Sequence, residues 1–246
     1  MSVIRRQIKI SILTNCSLAP REPDANSIVR SGDCLSTGTA FMMGRILKWD
    51  MTCEYRAWPD QDDALAATIR RHFQSRHRED RTDDYLLPVS RCSLSFLPKI
   101  RAGKKFEIKQ KIRTEGAIEI WRRILSESFP LHPNAQRVLE AVYPGARFSG
   151  GALDTPGRLV GALMPNAFIC RVRKTRLTFR KGACKAEITQ IEALGKETLT
   201  VALECSKLAP LADYLQKQGS SLLPNIDYGT WLRAQLKRHH SLCTMQ

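Results

Sequence analysis

The sequence has no long hydrophobic run, and this absence excludes one large class of proteins. Among its 246 residues, no apolar stretch approaches the roughly 18–20 residues that a membrane-spanning helix requires. Near the basic N-terminus, Lys9 interrupts a short apolar patch, which argues against a secretory signal peptide. We therefore expect a cytoplasmic protein with no membrane partner.

The glycine-rich loops that bind nucleotide phosphates are also missing. Neither GxGxxG nor GxxxxGKS/T occurs, so a Rossmann or P-loop nucleotide site is not supported. The sequences GxSxG and HExxH are absent as well, so nothing indicates an α/β-hydrolase or a zinc protease.

The eight cysteines lack the spacing of a metal site. They are scattered, with no CxxC pair and no short Cys/His pattern of the zinc-finger kind. Because there is no secretory signal, we expect reduced thiols, several of them in strand cores. The cysteines are Cys16, Cys34, Cys53, Cys92, Cys170, Cys184, Cys205 and Cys243.

Acidic residues are few compared with basic ones. Thirty-nine Lys and Arg against 24 Asp and Glu leave a net charge of +15 and an isoelectric point near 9.8. Such an imbalance favours anionic partners: nucleic acid, polyphosphate, nucleotides or acidic membrane surfaces. Few aromatic residues accompany the basic stretches, so a platform for stacking nucleic-acid bases is not evident.

The chain divides by composition into a short first segment and one long domain. Residues 1–45 are rich in Ser, Arg, Pro, Asn and Gly, which predicts a flexible N-terminal extension. Met42 and Met43 leave two interpretations open, an extension upstream of the biological start or an ordinary flexible tail. We predict a single domain over residues 46–246, with two halves that meet at the loop 149–157.

Every second residue is charged in KFEIKQKIR, residues 105–113, and the residues between them are Phe106, Ile108, Gln110 and Ile112. A period of two predicts a strand with one charged face. Other predicted strands repeat the pattern, so a closed sheet that turned these faces inward would form a cationic tunnel for a polyanion. The alternative is an open antiparallel sheet whose charged faces meet water. The other strands are residues 47–58, 92–101, 167–180, 184–191 and 197–205.

Helical spacing appears between the strands and at the end of the chain. Residues 78–90 are predicted to be a polar turn that leads into a short strand at 85–87. Mostly antiparallel connections in this mixed order predict an α+β fold. The predicted helices are residues 61–76, 118–129, 134–143, 206–219 and 226–240.

The charged faces carry the residue types that phosphoryl transfer requires. Basic groups bind phosphate oxygens, and carboxylates hold Mg²⁺ or Mn²⁺. The candidate phosphate ligands are Arg56, Lys99, Arg101, Lys109, Lys111, Lys174 and Arg176. The candidate metal ligands are Glu54, Glu107, Glu187 and Glu204.

Several short motifs occur together in a fixed order. They are TCEYR (52–56), DDY (83–85), LPKIR (97–101), EIK (107–109), KTR (174–176), Glu187, ALE (202–204) and DYGTWL (227–232). In this order they resemble the CYTH superfamily, the triphosphate tunnel metalloenzymes. That superfamily includes class IV adenylyl cyclases, thiamine triphosphatases and inorganic triphosphatases.

The resemblance implies a fold, a ligand and a metal. The fold would be an eight-stranded antiparallel β-tunnel with helices packed outside, and a triphosphate would bind inside with Mg²⁺ or Mn²⁺. It also implies catalytic roles for Lys109 and Arg56. It selects Lys174 and Arg176 as inward residues, although a bulge would direct their neighbours inward instead.

Two departures from the family pattern leave the function open. Thr52 and Ala202 stand where the family has Glu, and either change would weaken a metal site. The first hypothesis is a metal-dependent hydrolase of an inorganic or organic triphosphate. The second is a non-catalytic binder of polyphosphate, nucleotide or RNA on the same fold, and a third is an RNA-binding surface on external basic helices. The oligomeric state is not decided by the sequence, which allows a homodimer.

Overall fold

Strands that turn alternate side chains inward form a closed barrel in the computed structural model of this chain. The structure describes residues 51–60, 64–219 and 222–243, which belong to the compact unit Leu47–Gln246. The predicted extension over residues 1–45, with Met42 and Met43, lies outside the described residues. The strands are β1 (Met51–Ala57), β2 (Gln74–Pro88), β3 (Phe96–Arg101), β4 (Lys105–Glu115), β5 (Ile118–Ser128), β6 (Ala167–Lys181), β7 (Cys184–Ala193) and β8 (Lys196–Cys205).

All neighbouring strands are antiparallel, in the order β1-β5-β4-β3-β2-β6-β7-β8 around the barrel. The prediction of an eight-stranded antiparallel α+β tunnel is therefore confirmed. None of the described helices is long and apolar enough to cross a membrane. These helices are α1 (Ala64–His72), α2 (Ala135–Val142), α3 (Pro156–Leu163), α4 (Leu208–Gln216) and α5 (Tyr228–Cys243).

Tight turns fix the register of the hairpins that the sequence predicted. Ala102 and Gly103 have φ of 48° and 67°, and Leu194 and Gly195 have φ of 52° and 72°. Two successive positive φ values are typical of type I′ turns, whose twist matches the twist of the strands that they join. These turns join β3 to β4 and β7 to β8.

The helix predicted over residues 118–129 was wrong, because this segment is strand β5. The sequence IEIWRRIL places apolar residues at both helical and alternating spacings, and periodicity alone does not separate the two in a short run. Pairing with β1 and β4 decides the outcome. Ile118 and Ile120 pack on the outside of the barrel, whereas Glu119 and Trp121 line its interior.

The polar turn predicted over residues 78–90 was also wrong. Strand β2 runs without interruption through Gln74–Pro88 and pairs along its length with β6. Its inward residues form ion pairs, which allows a strongly charged sequence to be a strand. Helix α1 therefore ends at His72, four residues before the end of the helix predicted over residues 61–76.

Four helices cover two outer faces of the barrel, and a fifth helix closes one end of its interior. Helices α1 and α4 pack on one apolar outer face, and α2 and α3 pack on the other. Thr155 accepts a hydrogen bond from the Arg158 amide (3.3 Å) and so caps α3. Inside the barrel, Leu87, Val172 and other apolar residues of five strands contact Leu232 of α5. This end of the interior is therefore filled.

One expectation about the cysteines is overturned. Cys184 and Cys205 are joined by a disulfide, with their Cα atoms 4.5 Å apart. They are directly opposite each other on β7 and β8, a relation that the sequence positions, 21 residues apart, do not reveal. Cys53, Cys92 and Cys170 are free thiols.

Candidate functional site

Charged side chains line the end of the barrel interior that α5 leaves open. They surround a cavity of about 210 Å³, which is smaller than the roughly 300–1,000 Å³ of pockets for drug-sized ligands. Among the described residues, nine basic and five acidic side chains line it. The basic ones are Arg56, Arg81, Lys99, Arg101, Lys109, Arg123, Lys174, Arg176 and Lys185, and the acidic ones are Glu54, Glu119, Glu187, Glu204 and Asp227.

Most of the residues that the sequence nominated meet in this cavity. Its lining includes six of the seven candidate phosphate ligands, all except Lys111. It also includes three of the four candidate metal ligands, all except Glu107. Residues from β1, β3, β4, β6, β7 and β8 are therefore brought together by closure of the barrel.

The orientation of β6 follows the expectation from the resemblance. The side chains of Lys174 and Arg176 are 3% and 8% exposed. Those of Arg171 and Arg173 are 71% and 68% exposed and pair with acidic residues on the outer surface. Strand β6 pairs with β7 without a bulge, so the two faces keep their alternation along the strand.

Two carboxylates and one lysine form the centre of the site. Glu54 and Glu204 are directly opposite each other on β1 and β8. Lys109 donates hydrogen bonds to Glu54 and, over 3.2 Å, to Glu204 Oε1. Burial raises the pKa of Glu54, and the adjacent Glu204 raises it further against the opposing effect of Lys109. Burial acts in the same direction on Glu204, but Lys109, the hydrogen bond with Glu54 and Lys185 together outweigh it and lower the pKa of Glu204 to about 2.

Glu107 is surrounded by cations behind the cavity lining. It accepts a hydrogen bond from Arg101 (2.8 Å), and Lys99 Nζ and Arg123 Nε lie 3.3 and 3.4 Å from its oxygens. Burial alone would raise the pKa of Glu107, but Lys99 and Arg101 bring it well below its usual range. The carboxylate therefore holds these basic side chains in place.

On the opposite wall of the barrel, Glu187 likewise pairs with basic side chains. It accepts hydrogen bonds from Arg176 and from Lys185 (2.6 Å). Burial acts to raise the pKa of Glu187, but Arg176 and Lys185 bring it well below its usual range. Ala202 lies between Arg56 and Glu187 in the sheet, so Glu187 is adjacent to the position where the family has a carboxylate.

Burial lowers the pKa of two lysines in the cavity, Lys99 and Lys174. Burial and the neighbouring Arg101 lower the pKa of Lys99 to about 8, against the effect of Glu107. Lys174 donates to Asp83 (2.7 Å) and to the Tyr85 hydroxyl (2.9 Å). Burial nevertheless holds the pKa of Lys174 well below its usual value. A bound anion would favour the charged form of both lysines.

Lys111 connects the barrel wall to α5. It donates hydrogen bonds to Glu119 on β5 (2.8 Å) and to Asp227 (2.9 Å). Asp227 in turn accepts hydrogen bonds from the backbone amide and the hydroxyl of Thr230, at 2.9 and 2.8 Å, and so caps α5. In this position Lys111 attaches the helix that closes the barrel.

Three basic residues of the lining were not nominated from the sequence. Arg81 and Arg123 were missed because their segments were predicted to be a turn and a helix. Lys185 shares the alternating face of Glu187, a signal that is visible in the sequence. Tyr228 was also missed, and Arg56 lies over its ring, 4.5 Å from the centroid.

The acidic residues of the cavity supply a converging pair of carboxylates but not a complete set of metal ligands among the described residues. In the described ranges, no group of three or more His, Cys, Asp or Glu side chains is placed to hold a metal ion. Thr52 has a hydroxyl that donates to Glu54 (3.3 Å). Glu54 and Glu204 are the pair that converges, and Mg²⁺ in proteins is often held by one or two carboxylates together with substrate phosphates. The residues therefore fit a metal that is shared with a phosphate ligand.

Comparison with known proteins finds similar solved structures, but no family model and no curated protein matches. The PH1819 protein of Pyrococcus horikoshii is 14% identical, over 76% of this chain and 99% of that one, with a TM-score of 0.44. A proposed adenylate cyclase of Bacillus halodurans is 15% identical, over 71% and 93%, with a TM-score of 0.41. The Pct1 RNA triphosphatase of S. pombe is 9% identical, over 79% and 84%, with a TM-score of 0.29.

These identities say nothing about activity. The strand order and closure of the barrel define the fold, and charged side chains line its interior. The expected eight-stranded antiparallel tunnel is therefore confirmed as a fold.

Proposed function

We propose that this protein is a metal-dependent hydrolase that binds the phosphates of an inorganic or organic triphosphate in the cavity. The observation that carries the proposal is the convergence of nine basic side chains in one enclosed space with five acidic ones. Lys99, Lys109, Lys174 and Arg176 are all buried. Buried charges are unfavourable unless they are paired, and a polyanion would pair with the excess.

The basic residues divide by geometry into two kinds of phosphate ligand. Arg56, Arg101 and Arg176 offer planar guanidinium groups that can bind two phosphate oxygens at once. Lys99, Lys109 and Lys174 supply compact charges. Such groups, held in position before the ligand arrives, stabilise the charge that develops during phosphoryl transfer.

Glu54 and Glu204 would hold Mg²⁺ or Mn²⁺ together with the phosphates. When bound, the metal would neutralise charge on the phosphate oxygens. Lys109 contacts both carboxylates and therefore orients them. Because α5 fills the other end of the barrel, the organic part of a ligand would remain at the open end.

The test is phosphate release from inorganic triphosphate with Mg²⁺ and with Mn²⁺. Lys109→Ala should lower the rate at least tenfold, because it removes a buried charge that contacts both Glu54 and Glu204. Lys105→Ala is the matched control, since Lys105 is on the same strand and is exposed. Equal rates for the two variants would contradict the proposal.

The second candidate function is binding without catalysis. It is favoured by the presence of Thr52 and Ala202 in place of carboxylates, and by the lack of a three-ligand metal group among the described residues. Calorimetric binding of triphosphate without phosphate release at any metal concentration would select it. Binding that ignores triphosphate as a competitor and falls steeply with salt would instead indicate nucleic acid on the outer surface.

A further inference from the structure

Three cysteines form a row across three adjacent strands of the barrel wall. Cys205 on β8 is paired in register with Cys184 on β7 and with Cys53 on β1. Cys184 and Cys205 form the disulfide, and Cys53 is a free thiol. Cys205 is therefore the middle member of the row, with one cysteine on either side.

All three side chains belong to the same outer face. Residues that are directly opposite in antiparallel strands point to the same side of the sheet. The three cysteines are 6%, 9% and 3% exposed and lie in one apolar cluster with residues of α1 and α4. Because β7, β8 and β1 are adjacent, no other strand lies between neighbouring cysteines of the row.

The spacing of the strands allows Cys205 to bond with either neighbour. Opposite residues in antiparallel strands alternate between Cα separations of about 4.5 and about 5.5 Å. Cys184 and Cys205 are at 4.5 Å, the spacing of a pair without mutual hydrogen bonds. The backbone groups of Cys205 then face β1, so the pair with Cys53 has the wider spacing. Disulfides span Cα separations of about 4.4–6.8 Å, which includes both.

We propose that Cys205 is the shared sulfur of a disulfide relay in which Cys53 and Cys184 exchange as its partner. The Cys53 thiolate attacks Cys205 Sγ from the side opposite Cys184, because the three residues are in line across the strands. The Cys53–Cys205 bond forms as the Cys184–Cys205 bond breaks. Cys184 leaves as a thiolate and takes up the proton that Cys53 released, so no oxidant or reductant is consumed.

The exchange moves a covalent link from one strand pair to the next. Each cysteine is adjacent in sequence to a charged residue on the opposite, inward face, namely Lys185, Glu204 and Glu54. The present link joins the strands of Lys185 and Glu204, whereas the exchanged link joins the strands of Glu204 and Glu54. The relay itself is independent of what the cavity binds.

Thiol mapping on the wild-type chain tests the relay. Protein kept without reductant is unfolded in acid, alkylated with a light reagent, reduced, and alkylated with a heavy one. Trypsin separates the three cysteines into residues 49–56, 182–185 and 197–207. We expect the light label on both Cys53 and Cys184 and its near absence from Cys205. Light label confined to Cys53 would overturn the relay.

Two single variants test the geometry separately. Cys184→Ser, equilibrated with oxidised glutathione, should form the Cys53–Cys205 disulfide, identified by the linked peptides. In Cys53→Ser the light label should be absent from Cys184. Free Cys53 and Cys205 in the first variant, with unchanged circular dichroism, would contradict the proposal. Cys170→Ser is the control, because Cys170 lies inside the barrel, and it should leave the wild-type pattern unchanged.

Discussion

The two ends of the barrel interior are built by the same strands and differ completely in chemistry. Strand β6 contributes Cys170 and Val172 to the end filled by α5, and Lys174 and Arg176 to the open end. Strand β3 changes in the same way between Leu97 and Lys99. The apolar end buries surface from water, whereas the charged end holds ions at the expense of their hydration.

This difference separates residues that stabilise the barrel from residues that are available to a ligand. Every cation at the open end whose contacts are described above has an acidic or aromatic neighbour, but the cavity keeps an excess of positive charge. Asp83 and Tyr85 mark the boundary, because they contact Lys174 from the filled side. Substitutions on the two sides should therefore affect different measurements.

The largest effect is expected at the boundary itself. Asp83→Asn removes the carboxylate that pairs with Lys174 and with Arg81 Nε (3.1 Å), in a site where Asp83 is 0% exposed. An uncompensated buried charge should lower the free energy of unfolding by about 3–5 kcal/mol, measured by urea denaturation. Asp84→Asn is the control on the outer face, where its partner Arg171 is 71% exposed, and should change it by less than about 1 kcal/mol. Equal losses would remove the distinction between the two faces.

A somewhat smaller loss of stability is expected at the end of the barrel that α5 fills. Leu232 is fully buried against the interior of the barrel, so Leu232→Ala should reduce the free energy of unfolding by about 2–5 kcal/mol. The affinity of the folded protein for triphosphate should stay within about twofold. Leu94→Ala, at a residue that is 51% exposed, should leave both quantities unchanged. A large loss of affinity with intact stability would place Leu232 in the binding site.

At the open end, the expected effect is on binding. Arg176→Ala should weaken triphosphate binding about 10–100-fold, because a hydrogen bond to a charged group contributes about 1.5–3 kcal/mol. Arg173→Ala, three residues earlier on the same strand with its side chain 68% exposed, should have almost no effect. Isothermal titration calorimetry compares the two. Similar losses would indicate that the ligand binds outside the barrel.

The smallest effect is a dependence of binding on pH. Burial and Arg101 lower the pKa of Lys99 to about 8, so above that pH the free protein has a neutral Lys99. A bound anion favours the protonated form, and binding must then be accompanied by proton uptake. Affinity should fall as pH rises through about 8, by at most about tenfold per pH unit. Lys99→Met should remove this dependence, while Lys104→Met, at an exposed residue, should retain it. A flat profile in the wild type would refute the assignment.

The sequence alone predicted those strands in which the alternation of residues and the positions of the turns indicate the same range. Strands β4, β6, β7 and β8 were predicted close to their observed ranges, because period-two alternation is bounded by glycine turns. Six of seven phosphate candidates also reached the cavity, since alternation assigns a face to each residue. Segment 118–129 and residues 78–84 were mispredicted because their partners in the sheet, and not their own spacing, stabilise them.

The sequence by itself determined which residues share a face along each ribbon, the excess of basic residues and the positions of the turns. These are local properties of the chain, set by the alternation of the backbone and by the few residues that accept positive φ. Tertiary structure decided which face is enclosed and that Lys109 meets Glu54 and Glu204. It also decided that Lys111 holds α5 and that Cys205 lies between two other cysteines. The physical reason is that barrel closure fixes the register between strands that are distant in sequence, and no local pattern contains that register.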